Sequence, residues 1–381
     1  MKGNNDMNTK DGYCKKCILK ASNPAVRLNK EGVCNFCNTM LHRKEAGVVN
    51  QDSLQEARKQ SEEFYAYATT NQDTRQYDCI LMLSGGKDSI WLLDKLIHKD
   101  HIRPLAFTLN HPYESNQAVE NIMKVLEKLG VDHISFTPDL NRYNKYLRYI
   151  FTKKKSLSDS ERLPCLICSN YIRIAAYLFA YKFDISYIVY CADPFQIPMN
   201  TNRQIPDIIK QLRAQYSDEM LVDIFGYDMN LLLNEQEKMP KYVFPYALMP
   251  DYNPETMMAE LKERDLYDSN PRETHCSLLP LLNYYSIKRH DMLFYTRQFA
   301  NDVRSGKVPR QEFIEFLEQY KEIMMKIAVK DEITEDEKKH IREVLSYKYK
   351  TPGDSKLEHE YKEILNLRKI TESLNIKFDE I

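Results

Sequence analysis

Residues Ser84-Gly85-Gly86-Lys87-Asp88-Ser89 follow the apolar run 79–83 and precede an amphipathic segment. Glycines at such a turn let backbone N–H groups close around an anion, and a helix N-terminus favours negative charge. Ser84 and Ser89 add hydroxyl donors, Lys87 adds a cation, and Asp88 offers a carboxylate that could help hold Mg2+. The spacing G-x-x-x-x-G-K-S/T of a γ-phosphate-hydrolysing loop is absent, because this loop is shorter and its lysine precedes an aspartate. The expectation is a phosphate cradle of another kind. The competing reading is a turn whose glycines serve packing alone.

Nine cysteines carry the second chemical signal. Cys14-x-x-Cys17 and Cys34-x-x-Cys37 stand 16 residues apart, each in a tight knuckle that can aim two thiolates at one ion. Four thiolates at this spacing form a zinc-ribbon pattern, closed and structural rather than catalytic. Zinc would supply about 10–16 kcal/mol to a module with almost no core. Cys165 and Cys168 sit where a loop enters a helix, a place that lowers a thiol's pKa, and Cys276 lies far downstream. A metal set, reactive thiols, a redox pair and buried cysteines are all open for these three. Cys79 and Cys191 lie in apolar strand contexts and read as core residues.

These residues need elements to position them. Runs at 79–83, 103–109, 132–137 and 186–191 read as strands, and segments 88–99, 115–129, 141–152 and 166–182 as helices. Alternation of this kind implies a parallel sheet with helices on both faces. The chain divides into a disordered tail (1–12), a zinc-ribbon module (13–40), a connecting helix (41–76), an α/β domain that carries the phosphate-cradle turn and a long insertion (77–285) and a helical C-terminal region (286–381). Residues 195–285 are hard to read beyond an amphipathic stretch near 203–216. In 309–328, Phe313, Phe316, Leu317, Tyr320, Met324 and Ile327 repeat at helical spacing. Segment 331–377 reads as two solvated helices. The 54 basic and 55 acidic residues give a net charge of −1, which exerts no general pull on nucleic acid or an anionic membrane. No segment approaches the ~20 apolar residues of a membrane span, and the N-terminus lacks a signal peptide's apolar core. A cytoplasmic protein with reduced thiols is expected.

SGGKDS after an apolar strand resembles the signature of the PP-loop ATP pyrophosphatases, with an adenine nucleotide alpha-hydrolase-like fold. The resemblance implies that residues 84–89 bind the pyrophosphate end of ATP and that AMP is transferred to a substrate oxygen. Asp88, with Asp193, would position Mg2+. The layout YCKKCILKASNPAVRLNKEGVCNFC, SGGKDS, PCLIC and THCSLLPLLNYYSIKRH, over roughly 13–325, resembles the N-acetyl sugar amidotransferases of bacterial surface-polysaccharide and pseudaminic-acid pathways. It implies adenylation of an N-acetylated sugar and displacement of AMP by ammonia from a separate glutaminase, with Cys165, Cys168 and Cys276 lining the acceptor site or holding an iron–sulfur cluster. The alternative resemblance is to PP-loop enzymes that thiolate tRNA. There the same three cysteines would hold a 4Fe–4S cluster, and Arg173 matches a basic residue. After strand 186–191, however, only Asp193 of Cys191-Ala192-Asp193-Pro194-Phe195-Gln196 matches the thiolases' polar segment.

Overall fold

The computed structural model describes residues 12–381 apart from 24, 40–50, 71, 154–162, 195, 198–199, 202–203, 215, 231, 234–238, 268–275 and 350–354. The expected tail at 1–12 lies outside the described residues except for Gly12. So do parts of the expected connecting segment.

Strands β1 (Cys79–Met82) and β2 (Pro104–Leu109) are buried at every position. A strand covered on both faces is written as a continuous apolar run, which is why both were legible. With β3 (His133–Phe136), β4 (Tyr187–Val189) and β5 (Lys241–Val243) they form one sheet in the order β3-β2-β1-β4-β5. All four pairings are parallel. The expected parallel α/β architecture is therefore present. The chain runs outward from β1 through β2 to β3, then returns to the other side of β1 for β4 and β5. The border of β1 and β4 is the point where winding reverses, and the carboxyl ends of strands there open a crevice.

Among the helices, α1 (Gln51–Ala68) precedes the sheet, and α2 (Lys87–His98) and α3 (Asn116–Leu129) follow β1 and β2. α4 (Leu140–Thr152) and α5 (Leu163–Lys182) lead to β4. Ser115 caps α3 by accepting from Ala118 N, and Gly130 ends it in the left-handed region. Further helices and β5 lie in the hard-to-read stretch. α6 (Ile205–Arg213) buries Ile205, Ile208, Ile209 and Leu212 at helical spacing. α7 (Asp218–Phe225) starts on Ser217, and α8 (Pro254–Glu263) starts on Asn253, whose side chain accepts from Glu255 N and Thr256 N.

The chain forms two compact units. One gathers the described residues of 1–49, 147–166 and 277–381, and the other those of 50–146 and 167–276. The sheet belongs to the second. At the centre of the first is α9 (Leu279–His290), buried at every position except Lys288. Its Asn283 donates to Tyr320 Oη at 3.2 Å, and Tyr320 donates to Glu360 Oε1 at 2.9 Å. α10 (Thr296–Arg304) and α11 (Arg310–Glu322) follow. Phe313, Phe316, Leu317, Tyr320, Met324 and Ile327 are all buried, as their spacing predicted. The last three helices are α12 (Glu335–Tyr349), α13 (Ser355–Leu365) and α14 (Leu367–Ser373). They are not simply solvated, because Ile341, Leu345, Ile364 and Leu367 are fully buried. The Lys/Glu excess hid a narrow apolar stripe. No helix among the described residues is long and apolar enough to cross a membrane.

Candidate functional site

The turn after β1 is held by its own side chains. Gly85 sits at φ +71°, and a Cβ there would lie 2.3 Å from the Ala118 carbonyl oxygen. Glycine is thus required twice, for the left-handed backbone and for contact with the first turn of α3. Asn121 of α3 donates to Gly85 O at 3.3 Å. Ser89 Oγ donates to Gly86 O at 2.9 Å and accepts from Ser84 N at 3.2 Å. The Ser89 hydroxyl therefore staples the loop. Gly86 is the N-cap of α2 and no side chain caps that end. Uncapped first-turn N–H groups with a positive dipole end suit an anion.

Lys87 Nζ lies 2.6 Å from Asp88 Oδ1 and 3.3 Å from Tyr252 Oη. Tyr252 donates to Asp88 Oδ1 at 2.8 Å, and Tyr246 donates to the Asp88 carbonyl at 2.7 Å. Burial first, and Asp88 second, hold the Tyr252 phenol well above its ordinary range, so it remains a donor at neutral pH. The charge of Asp193 acts on the same two tyrosines. Asp193 itself accepts from Gln196 N at 2.9 Å and Gln196 Nε2 at 3.0 Å. Trp91, on α2, stacks on Tyr246 at 6.0 Å and donates to Glu260 Oε2 at 2.8 Å.

Ser84, Gly86, Lys87, Asp88 and Ser89 line a cavity of about 470 Å3 at the β1–β4 border. Ser169, Ile172, Tyr190, Cys191, Gln196 and Tyr267 line it as well. Cys191 corrects the sequence reading. β4 ends at Val189, the chain turns at 190–192, and Cys191 faces the cavity instead of the core. Burial, then the charge of Asp88, pushes its thiol up. Cys79 is fully buried, as expected. Arg173 is also fully buried, with its guanidinium 4.1 Å from the Tyr190 ring centroid.

Cys165 and Cys168 are both on α5, but the boundary between the units falls between them. Cys165 is half-buried in the first unit. In the second, Cys168 Sγ lies 3.2 Å from Tyr143 Oη. Cys276 pairs with Glu114 in an isolated bridge, and its charge reaches Tyr143. His111 stacks on Tyr143 at 5.7 Å and its Nε2 lies 3.2 Å from Glu114 Oε2. Burial raises the Cys168 thiol more than the Tyr143 hydrogen bond lowers it.

Cys14, Cys17, Cys34 and Cys37 are buried, and their sulfurs lie within 4.8 Å of one another. Cys14–Cys37 is 3.8 Å and Cys17–Cys34 is 3.7 Å. Tetrahedral bonds of about 2.3 Å require sulfurs about 3.8 Å apart, so the set fits one metal ion. Backbone N–H groups of Lys16, Cys34 and Cys37 point at these sulfurs. From the helical part of the same unit, Arg304 donates to Cys37 Sγ at 2.9 Å and to Cys17 Sγ at 3.5 Å. Arg310 donates to the carbonyls of Cys14 and Cys17. A guanidinium on sulfur partly balances the charge of four thiolates. Tyr13 donates to Glu318, Ser22 to Asp291, and Asn23 to the His290 carbonyl. The knuckles are thus built into the helices that follow α9.

Sequence reasoning missed Tyr246, Tyr252, Tyr190 and Gln196. With 26 tyrosines in the chain, none stood out. Only their placement after β4 and β5 distinguishes them.

No family model matches the chain. In sequence it is similar to an uncharacterised protein of Methanocaldococcus jannaschii, 25% identical over 178 residues, which are 46% of this chain and 57% of the relative. The match thus takes in little more than half of that relative's length. Among solved structures it is similar to a tRNA thiolase from Methanococcus maripaludis with its 4Fe–4S cluster (TM-score 0.33, 15% identity, 81% of this chain and 89% of that one). It is also similar to an NMN synthetase from Francisella tularensis (TM-score 0.28, 12% identity, 62% and 94%). A third is an NH3-dependent NAD synthetase from Campylobacter jejuni (TM-score 0.28, 12% identity, 55% and 92%). Likenesses this slight assign no activity.

Proposed function

We propose that the chain is a PP-loop ATP pyrophosphatase that adenylates an N-acetylated sugar and replaces the activated oxygen with ammonia. The observation that carries this reading is the turn 84–89. It is a glycine loop at the carboxyl end of β1, at the reversal point of a parallel sheet, with an uncapped helix end and Lys87 facing one cavity. The loop is too short to wrap a triphosphate in the Walker manner, and it suits a leaving pyrophosphate.

In the first step the acceptor oxygen attacks the α-phosphorus of ATP, and the bond from that phosphorus to the bridging oxygen breaks. Lys87 would leave Asp88 to neutralise charge growing on pyrophosphate. Asp88, with Asp193 nearby, would hold Mg2+, and Tyr252 would keep the Asp88 carboxylate oriented. In the second step ammonia adds to the acceptor carbon, and AMP departs with the oxygen. A separate glutaminase is the proposed source of ammonia. The four N-terminal cysteines would hold zinc, which closes a structural site. The basic run Lys288–His290 argues for a small substrate over nucleic acid, because Arg289 and His290 are buried.

Product analysis tests the reading. Incubation with ATP, ammonia and acetamido sugars should yield AMP and pyrophosphate in equal amounts. Release of ADP and phosphate would overturn it. Anaerobic preparation with iron and sulfide analysis separates this enzyme from a thiolase, for which iron–sulfur would be expected.

A further inference from the structure

The two cysteine knuckles serve their sulfurs differently. In the first, the backbone does it. Lys16 N points at Cys14 Sγ at 3.4 Å, and a backbone bond from Leu19 reaches Cys17. The second knuckle runs into a helical turn at 35–39 that contains Cys37 itself. N–H groups in a helix point back along its axis to the preceding turn. Asn38 N accordingly goes to the Cys34 carbonyl at 2.9 Å. A donor to Cys37 Sγ comes instead from α10, as Arg304 Nε at 2.9 Å. We infer that Arg304 locks the metal site: it holds Cys37, and with it the second knuckle, on the ion, so that loss of the ion begins at Cys37 when α10 lets go. The inference rests on the zinc reading above.

The guanidinium works as a clasp. Through Nε and Nη2 it touches one sulfur of each Cys-x-x-Cys pair, Cys37 and Cys17. Its donors lie in one rigid plane, so the two knuckles are held in one relation to each other. Nη1 donates to Asn301 Oδ1, three residues back on the same helix, which fixes the group's orientation. Four thiolates on one divalent ion make a doubly negative centre. A cation hydrogen-bonded to sulfur there lowers that sulfur's tendency to take up a proton and leave, or to attack an electrophile. At the other end of α10, Arg297 lies 4.8 Å from the ring centroid of Phe36, so the residue before Cys37 is gripped by the same helix. Arg310 of α11 fastens the first knuckle through carbonyl oxygens, those of Cys14 and Cys17. The two arginines therefore divide the work: Arg310 docks the backbone, and Arg304 acts on the ligand atoms.

The test uses the full chain, loaded with zinc or with Co2+ in its place, whose thiolate-to-metal absorption reports the sulfurs directly. The band that Cys14→Ser abolishes belongs to this site. Arg304→Ala should move that band to longer wavelength, because sulfur electrons freed from a cation are easier to transfer to the metal. Zinc release to a chromogenic chelator should be about 10–100-fold faster than in the wild type. During release Cys37 should be alkylated before the other three, by peptide mass analysis. Arg304→Lys keeps the charge but loses the fork, and should fall between. Arg310→Ala is the control for docking alone and should leave the band where it is. Where Arg304→Ala does not fold, by circular dichroism, the lysine variant and Arg304→Gln give the same readings. An unshifted band with release within about twofold of the wild type would overturn the inference. So would a shift in Arg310→Ala as large as in Arg304→Ala, or alkylation that starts at another cysteine. A wild-type chain that takes up neither ion would overturn the zinc reading, and the inference with it.

Discussion

Replacing Gly85 by alanine separates the two demands made on that residue. The backbone there is left-handed at φ +71°, which costs a residue with a Cβ about 1–2 kcal/mol. The new Cβ would also stand 2.3 Å from Ala118 O and 2.9 Å from Ala118 C and Cα. Those are backbone atoms in the first turn of α3, so a helix must move, and overpacking of this kind costs about 1–3 kcal/mol. The sum is about 2–5 kcal/mol. Gly130 is the internal control. It is also left-handed, at φ +64°, but its Cβ would meet nothing within 4 Å. Gly130→Ala should therefore cost about 1–2 kcal/mol. The difference between the variants isolates the Ala118 contact. The chain's one tryptophan, Trp91, lies in the same unit as both glycines, so urea unfolding can be followed by its fluorescence. With a slope of about 2–3 kcal/mol per molar urea, Gly85→Ala should unfold about 0.3–1.5 M earlier than Gly130→Ala. It should also lose ATP-analogue binding, which Gly130→Ala retains. Coincident midpoints would refute the claim that β1's turn is wedged against α3.

Four further outcomes follow from the same geometry. Lys87→Ala should lower the rate of pyrophosphate release by about 10²–10³-fold, with the unfolding midpoint almost unchanged, since the side chain is part-exposed. Cys14→Ser should lower bound zinc by plasma-emission analysis and lower the melting temperature of the first unit, while the Trp91 transition stays in place. Cys191 should resist alkylation at pH 8 and react faster as pH rises past 9, because burial and Asp88 keep its thiol protonated, and an ATP analogue should protect it in peptide mass analysis. Acid should weaken the first unit through Asp291 and Glu318. Burial raises both carboxyls, but for Asp291 the hydrogen bonds from Lys321 and Ser22, and for Glu318 the bond from Tyr13, outweigh it and hold each below its usual range. Their folded pKa is depressed, so their stabilisation is present above the unfolded values of about 4 and is lost as pH falls below them. Asp291→Asn with Glu318→Gln should flatten the loss of circular dichroism between pH 5 and 3, at equal metal content.

Legibility in the sequence followed burial. β1 and β2 were plain because both faces are covered, and the helices around them because their apolar stripes are wide. The Cys-x-x-Cys pairs were plain because four ligands to one ion need no distant help to be seen. β5 was illegible because three residues carry no period, and β4 was overextended because Tyr190 and Cys191 look like strand residues. The Tyr246–Tyr252–Asp88 arrangement depends on residues about 160 apart, and nothing local marks it.

The knuckle residue Tyr13 and its partner Glu318 are separated by 305 positions. At about 5–20 residues per second, the ribosome would deliver the partner some 15–60 s after the knuckles. The sheet-bearing unit lies wholly between those two positions in the chain and can complete its own contacts first. During that wait four thiolates have no helices against them and no Arg304. The nascent chain would depend on early capture of the ion, or on protection of its thiols, and overexpression in metal-poor medium should yield an oxidised, aggregating N-terminal segment on an otherwise folded sheet.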